Sequence, residues 1–133
     1  MVTLKSLDHV NIRTARLAEV AAFYAEVLGL KSGARPPFSF GGAWLYCGDR
    51  AAIHVVEVAK TPTNTEPRID HFAFRAQGLA EFLARLRQMG VAYRIGVVPD
   101  YGIRQVNVRD PDGNRIEIQF AATEEADLGD FPG

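Results

Sequence analysis

The chain has 133 residues, a formal net charge of −1 and 47% hydrophobic residues, which suits one compact domain over residues 1–133. Its 15 basic and 16 acidic side chains are interspersed, so no basic stripe points to nucleic acid and no basic amphipathic helix to a membrane surface. Cys47 is the only cysteine, which excludes an intrachain disulfide and a secreted disulfide framework; beside aromatics it reads as a small packed hydrophobe.

The first predicted element is a strand over residues 5–14, with His9 and Asn11 on one face and Val10 and Ile12 on the other. Thr14 can cap a helix over Leu17–Leu28, whose apolar residues recur at helical spacing and which Gly29 ends. A short extended piece follows at 31–35. The Pro- and Gly-rich stretch 35–42, which carries Phe38 and Phe40, reads as a loop or a lid. Residues 43–47 and 51–58 read as two strands joined by a turn at 48–50. A polar connector at 60–68, with Pro62 and Pro67, leads to a strand at 69–75, a helix at 79–89 closed by Gly90, and a short strand at 92–98. Residues 103–109 and 115–120 form a hairpin around Asp110-Pro111-Asp112-Gly113-Asn114, where Gly113 supplies the positive φ of the turn. The tail, 121–133, is acidic and without period, and is expected to be loosely ordered.

The segment Leu7-Asp8-His9-Val10-Asn11-Ile12-Arg13 returns as Ile69-Asp70-His71-Phe72-Ala73-Phe74-Arg75, almost half a chain later, and continues without a gap into Leu17-Ala18-Glu19-Val20 against Leu79-Ala80-Glu81-Phe82. Two copies of one unit predict two pseudo-symmetric halves, each strand-helix-strand-strand-strand: module 1 over 4–59 and module 2 over 69–120. The fold class is α+β, with paired βαβββ modules forming a half-barrel mixed sheet around a concave site. Within a module the first and last strands can be neighbours. Period-two alternation then places His9, His54, His71 and Glu117 on the face opposite the packing residues. Such groups in one concavity are costly unless paired, and a divalent cation taking imidazoles and a carboxylate resolves that cost.

The motifs Asp8-His9-Val10, Asp70-His71-Phe72-Ala73-Phe74 and Val108-Arg109-Asp110-Pro111-Asp112-Gly113-Asn114-Arg115-Ile116-Glu117-Ile118 resemble those of the vicinal oxygen chelate superfamily, which includes glyoxalase I, extradiol dioxygenases and bleomycin-binding proteins. The resemblance covers residues 4–120. It implies one divalent ion per chain (zinc, iron, manganese or nickel) held by His9, His71 and Glu117. His54 stands where glyoxalase I offers a second glutamate, and is either a fourth ligand or the proton carrier. It also implies a homodimer, in some relatives with the modules exchanged between chains, and a small substrate chelated through adjacent oxygens. Trp44 and Tyr46 either wall the cavity or cap the core. Gln105 and Asn107 lie opposite Val106 and Val108 and so face the pocket or simply the sheet surface. Arg35, Arg94 and Arg104 are candidates to clamp an anionic group of the substrate.

The expected function is a metal-dependent glyoxalase-like lyase or isomerase, with His54 and Glu117 as catalytic residues. The rival readings are a dioxygenase or thiol transferase on the same scaffold, and a non-catalytic ligand-binding protein. The N-terminus has no charged start followed by an apolar block, and no apolar run approaches the roughly 20 residues that span a bilayer. A cytoplasmic location is expected.

Overall fold

Two compact units, Met1–Thr65 and Glu66–Gly133, coincide with the two halves of the repeat. The computed structural model describes residues 1–63 and 65–133; Asn64, within the connector expected at 60–68, lies outside them.

The first unit runs β1 (Val10–Thr14), α1 (Leu17–Leu28), β2 (Lys31–Ser32), β3 (Gly42–Cys47) and β4 (Arg50–Glu57). Its four-stranded sheet has the order β1-β4-β3-β2, with β1 and β4 parallel and the other pairs antiparallel. The Thr14 hydroxyl accepts the Arg16 amide at 2.9 Å, which turns the chain into α1. At the other end Gly29 adopts φ 73°, and the Gly29 and Leu30 amides close on the Ala25 and Tyr24 carbonyls. Val20, Tyr24 and Val27 of α1 are buried, as are Leu45, Ile53 and Val55 of the sheet, so one sheet face and the helix share a core. Burying side chains of this size stabilises by roughly 1.5–3 kcal/mol each.

The second unit repeats the order with β5 (Phe72–Arg75), α2 (Leu79–Gln88), β6 (Arg94–Val97), β7 (Arg104–Arg109) and β8 (Arg115–Phe120). The sheet order is β5-β8-β7-β6, again with the first and last strands parallel. Val106, Val108, Ile116, Ile118 and Phe120 are buried on the α2 side, and the Phe82 ring lies 5.7 Å from that of Phe120. The α+β class and the paired βαβββ modules are therefore as the periodicity predicts.

Three details differ from expectation. The strands expected from residues 5 and 69 start at Val10 and Phe72. The ladders begin there, at Val10↔Ile53 and Phe72↔Ile116, and Leu7 and Ile69 are exposed, so alternation alone overextends both strands. Cys47 is exposed at the end of β3 instead of packed, because it pairs with Arg50 beside the tight turn. The tail is tied down despite having no period. Glu124 Oε1 accepts the Gly78 and Leu79 amides at 2.8 Å each, which places a carboxylate at the N-terminus of α2. Asp130 Oδ1 accepts the Ile95 amide at 2.9 Å, and Phe131 exchanges backbone hydrogen bonds with Tyr93.

Candidate functional site

Each unit carries the same local construction. In the first, His9 directly precedes β1, and its Nδ1 lies 2.7 Å from Asp8 Oδ2. In the second, His71 directly precedes β5, with Nδ1 2.7 Å from Asp70 Oδ2. The hydrogen bond from its histidine is the first cause holding each aspartate below the usual carboxylate range. An ionised carboxylate only accepts, so in the neutral imidazole the proton belongs on Nδ1 and the lone pair on Nε2. A carboxylate behind one ring nitrogen is the arrangement that orients histidines whose other nitrogen binds a metal. Arg115 supports the second dyad, its guanidinium donating to Asp70 Oδ2 at 2.8 Å and to Asn107 Oδ1 at 3.0 Å.

His71 Nε2 faces Glu117 Oε1 at 3.5 Å. That is too long for a good hydrogen bond. It is close to the separation of about 3.4 Å between two donor atoms each about 2.1 Å from a tetrahedral cation. The Glu117 side chain is only 5% exposed, whereas His71 is 33% exposed. Gln105 donates to Glu117 Oε1 at 3.1 Å and Gln119 to Oε2 at 2.8 Å. Two amides thus solvate and aim a buried carboxylate that would otherwise be expensive to keep charged.

In the first unit, His54 on β4 takes the place that Glu117 holds on β8. His9 stacks on it at 3.7 Å and 11°, and Trp44 covers its other face at 3.9 Å and 10°. With both faces covered, His54 presents only its ring edge, through which an imidazole ligates or exchanges a proton, and a backbone hydrogen bond at Ala51 engages part of that edge. Burial first, and the neighbouring His9 second, hold its pKa below the ordinary 6.5. Asp8, Trp44, Tyr46, Arg50 and His54 line a cavity of about 310 Å³. Tyr46 donates its hydroxyl to the Ala34 carbonyl at 2.5 Å. The expected loop is pinned by Arg35, whose guanidinium donates to the Phe40 carbonyl and lies 5.0 Å and 5.3 Å from the Phe38 and Phe40 ring centres.

His9 with His54, and His71 with Glu117 and Gln105, are therefore brought together within their own units. Among the described residues no group of three or more His, Cys, Asp or Glu suited to a cation is formed. Arg104 stands apart: it pairs with Phe120 in the ladder, and its guanidinium donates to the carbonyls of Gly102 and Glu124, so it holds the tail. Four contributors were not singled out from the sequence: Asp8, Asp70, Gln119 and Arg115. The recurrence of Asp before both histidines was the available signal for the first two, and Gln119, two residues from Glu117, shares its face.

Paired βαβββ modules, each headed by an Asp-His dyad, define a glyoxalase-like fold. A family model described as the Glyoxalase/Bleomycin resistance protein/Dioxygenase superfamily matches residues 6–118, and the chain belongs to that superfamily. It is 35% identical over 123 residues to Glyoxylase I 4 of Arabidopsis thaliana, spanning 86% of this chain and 70% of that one. Among solved structures, a glyoxalase family protein from Bacillus anthracis superposes with a TM-score of 0.76 at 26% identity, over 91% of this chain and 98% of that one. A glyoxylase/bleomycin resistance protein/dioxygenase domain from Frankia sp. EAN1pec has the same fold, with a TM-score of 0.73 at 21% identity over 92% and 96% of the two chains. These likenesses support a glyoxalase-like function. Among the described residues no helix is long and apolar enough to cross a membrane.

Proposed function

We propose that the chain is a metal-dependent lyase or isomerase of the glyoxalase type, acting on a small substrate with two adjacent oxygens. In this reading His9, His71 and Glu117 hold one divalent cation, and His54 is either a fourth ligand or the proton carrier. The observation that carries the reading is the pair His71 Nε2 and Glu117 Oε1 at 3.5 Å, with the imidazole oriented from behind by Asp70. A neutral nitrogen lone pair and a carboxylate oxygen at ligand spacing suit a cation chemically, and superfamily membership agrees with that.

When bound, the ion supplies Lewis acidity to the substrate oxygens. The chain's own residues do the rest. Asp8 and Asp70 fix which nitrogen of each histidine is free. Gln105 and Gln119 keep the Glu117 carboxylate aimed. A depressed pKa keeps His54 neutral near neutral pH, so that it can take a proton at the ring nitrogen that the Ala51 backbone does not engage. Trp44 and Tyr46 offer an aromatic wall beside it. The active form is a homodimer in this proposal, located in the cytoplasm.

Metal analysis of protein purified without added metal tests the assignment. About one divalent ion per chain is expected. Occupancy is lost together in His9→Ala, His71→Ala and Glu117→Ala, and weakened less in His54→Ala. A protein that holds no metal, and whose ligand affinity survives His71→Ala, is a binding protein instead.

A further inference from the structure

The second unit contains a cavity of about 850 Å³ at the start of β6, and three arginines line it: Arg94, Arg109 and Arg115. The only acid in its wall is Asp130, whose Oδ1 is engaged by the Ile95 amide. Outside the wall, Asp70 engages Arg115 at 2.8 Å. Among the described residues Arg109 donates to a neutral carbonyl, that of Gly113, at 2.8 Å, and its charge is also felt by Asp70. Arg94 has no side-chain partner among the described residues. Three arginines in the wall of one cavity, against one neighbouring carboxylate and one in the wall, leave a surplus of positive charge. A surplus of that kind, with planar donors, is suited to an oxyanion. Apart from Asn107, the rest of the wall is largely apolar, with Tyr93 and Phe131 paired at 5.7 Å and Val108 beside them.

The ladder fixes where this cavity stands relative to Glu117. Arg94 pairs with Asn107, and Asn107 pairs with Glu117. Arg94 is thus two strands from Glu117 in one cross-strand row, about 10 Å away at the usual strand spacing. Asn107 is held in place between them by the Arg115 guanidinium.

We propose that this cavity binds the anionic end of the substrate: a carboxylate or phosphate carried on an apolar body, its oxyanion gripped by Arg94 and Arg109. The substrate class is then an organic acid, a claim that rests on Glu117 marking the reacting end. The binding step can be tested apart from the metal. Benzoate and phenyl phosphate are titrated calorimetrically into the full chain, with and without added zinc, and benzamide serves as the uncharged control. At least one of the two anions should bind and benzamide should not; the tighter of the two identifies the head group. Arg94→Gln and Arg109→Gln should each weaken that binding about tenfold, the loss expected for one charge-assisted contact, while metal occupancy stays unchanged. Arg94 is the cleaner probe, since its side chain supports nothing else in the fold. The proposal is overturned if neither anion binds, if benzamide binds as tightly, or if the two variants bind as the parent does. Anion binding that persists in a Glu117→Gln variant devoid of metal retains the cavity, and shows the metal assignment to be separable from it.

Discussion

His54 and Glu117 are counterparts across the repeat. His54 pairs with Asn11 on one side and Trp44 on the other, and Glu117 with Ala73 and Asn107. Asn11 and Ala73 each stand two residues beyond the histidine of their dyad. The two units thus build one half-site twice, with imidazole in one copy where the other has carboxylate. Identity between copies reveals His9 and His71, but not this equivalence, because the residue types differ and only the strand register aligns them.

The dyads predict a graded loss of metal. Asp70→Ala and Asp8→Ala leave every proposed ligand in place but free the rings to rotate or change tautomer. Metal affinity should fall about 10–100-fold, the usual cost of losing a partner behind a ligand. Both aspartates are exposed, so the fold should survive, as circular dichroism would show. Competition with a metal indicator gives the affinity, and a value equal to the parent's would remove the aspartates from the site.

Trp44 is the only tryptophan and lies flat on His54, so its fluorescence reports that imidazole. A protonated ring quenches a stacked indole; a neutral one does so weakly. His54 is held below its ordinary 6.5 by burial and by His9, so the charged form is the disfavoured one and protonation is delayed to lower pH. In metal-stripped protein the emission should drop as pH falls, with a midpoint below about 6.5. His9→Ala removes the neighbouring ring and uncovers His54, and should move the midpoint upward. A midpoint at or above the ordinary value in the parent would show that the stack does not shield the ring.

The turn between β7 and β8 shows how a motif can be legible while its leading role is missed. Asp110-Pro111-Asp112-Gly113-Asn114 was recognisable as a hairpin turn, and Gly113 does take φ 88°. The stabilising part is Asp110, which is 4% exposed. Its Oδ1 accepts the Asp112 and Asn114 amides at 3.0 Å and 2.9 Å, and its Oδ2 the Asn114 side-chain amide at 2.8 Å. Asp110→Ala strands these donors and should cost about 2–3 kcal/mol. Chemical denaturation would show it as a lower midpoint with an unchanged slope. Because Glu117 follows on β8, metal affinity should fall in parallel.

Residues 121–133 were the least legible part of the chain, and for a physical reason. Periodicity detects elements that repeat a contact, whereas this tail makes single contacts at unequal intervals: Glu124 on α2, Asp130 on β6 and Phe131 on Tyr93. Nothing in the spacing of the acids distinguishes Glu124, which caps a helix, from Glu125, one position along. α2 begins after Gly78 at φ 95°, with no side chain of its own to receive the first amides, so Glu124 does what an N-cap residue would normally do. Glu124→Ala should therefore cost about 1–2 kcal/mol, the upper range for lost caps, because the carboxylate satisfies two amides and meets the positive end of the helix. Glu125→Ala should be neutral within about 0.5 kcal/mol. Hydrogen exchange at Gly78 and Leu79 gives the sharper check. Both amides should exchange faster in Glu124→Ala while those of α1 stay as they were, and equal protection in parent and variant would mean that the tail does not cap the helix in solution.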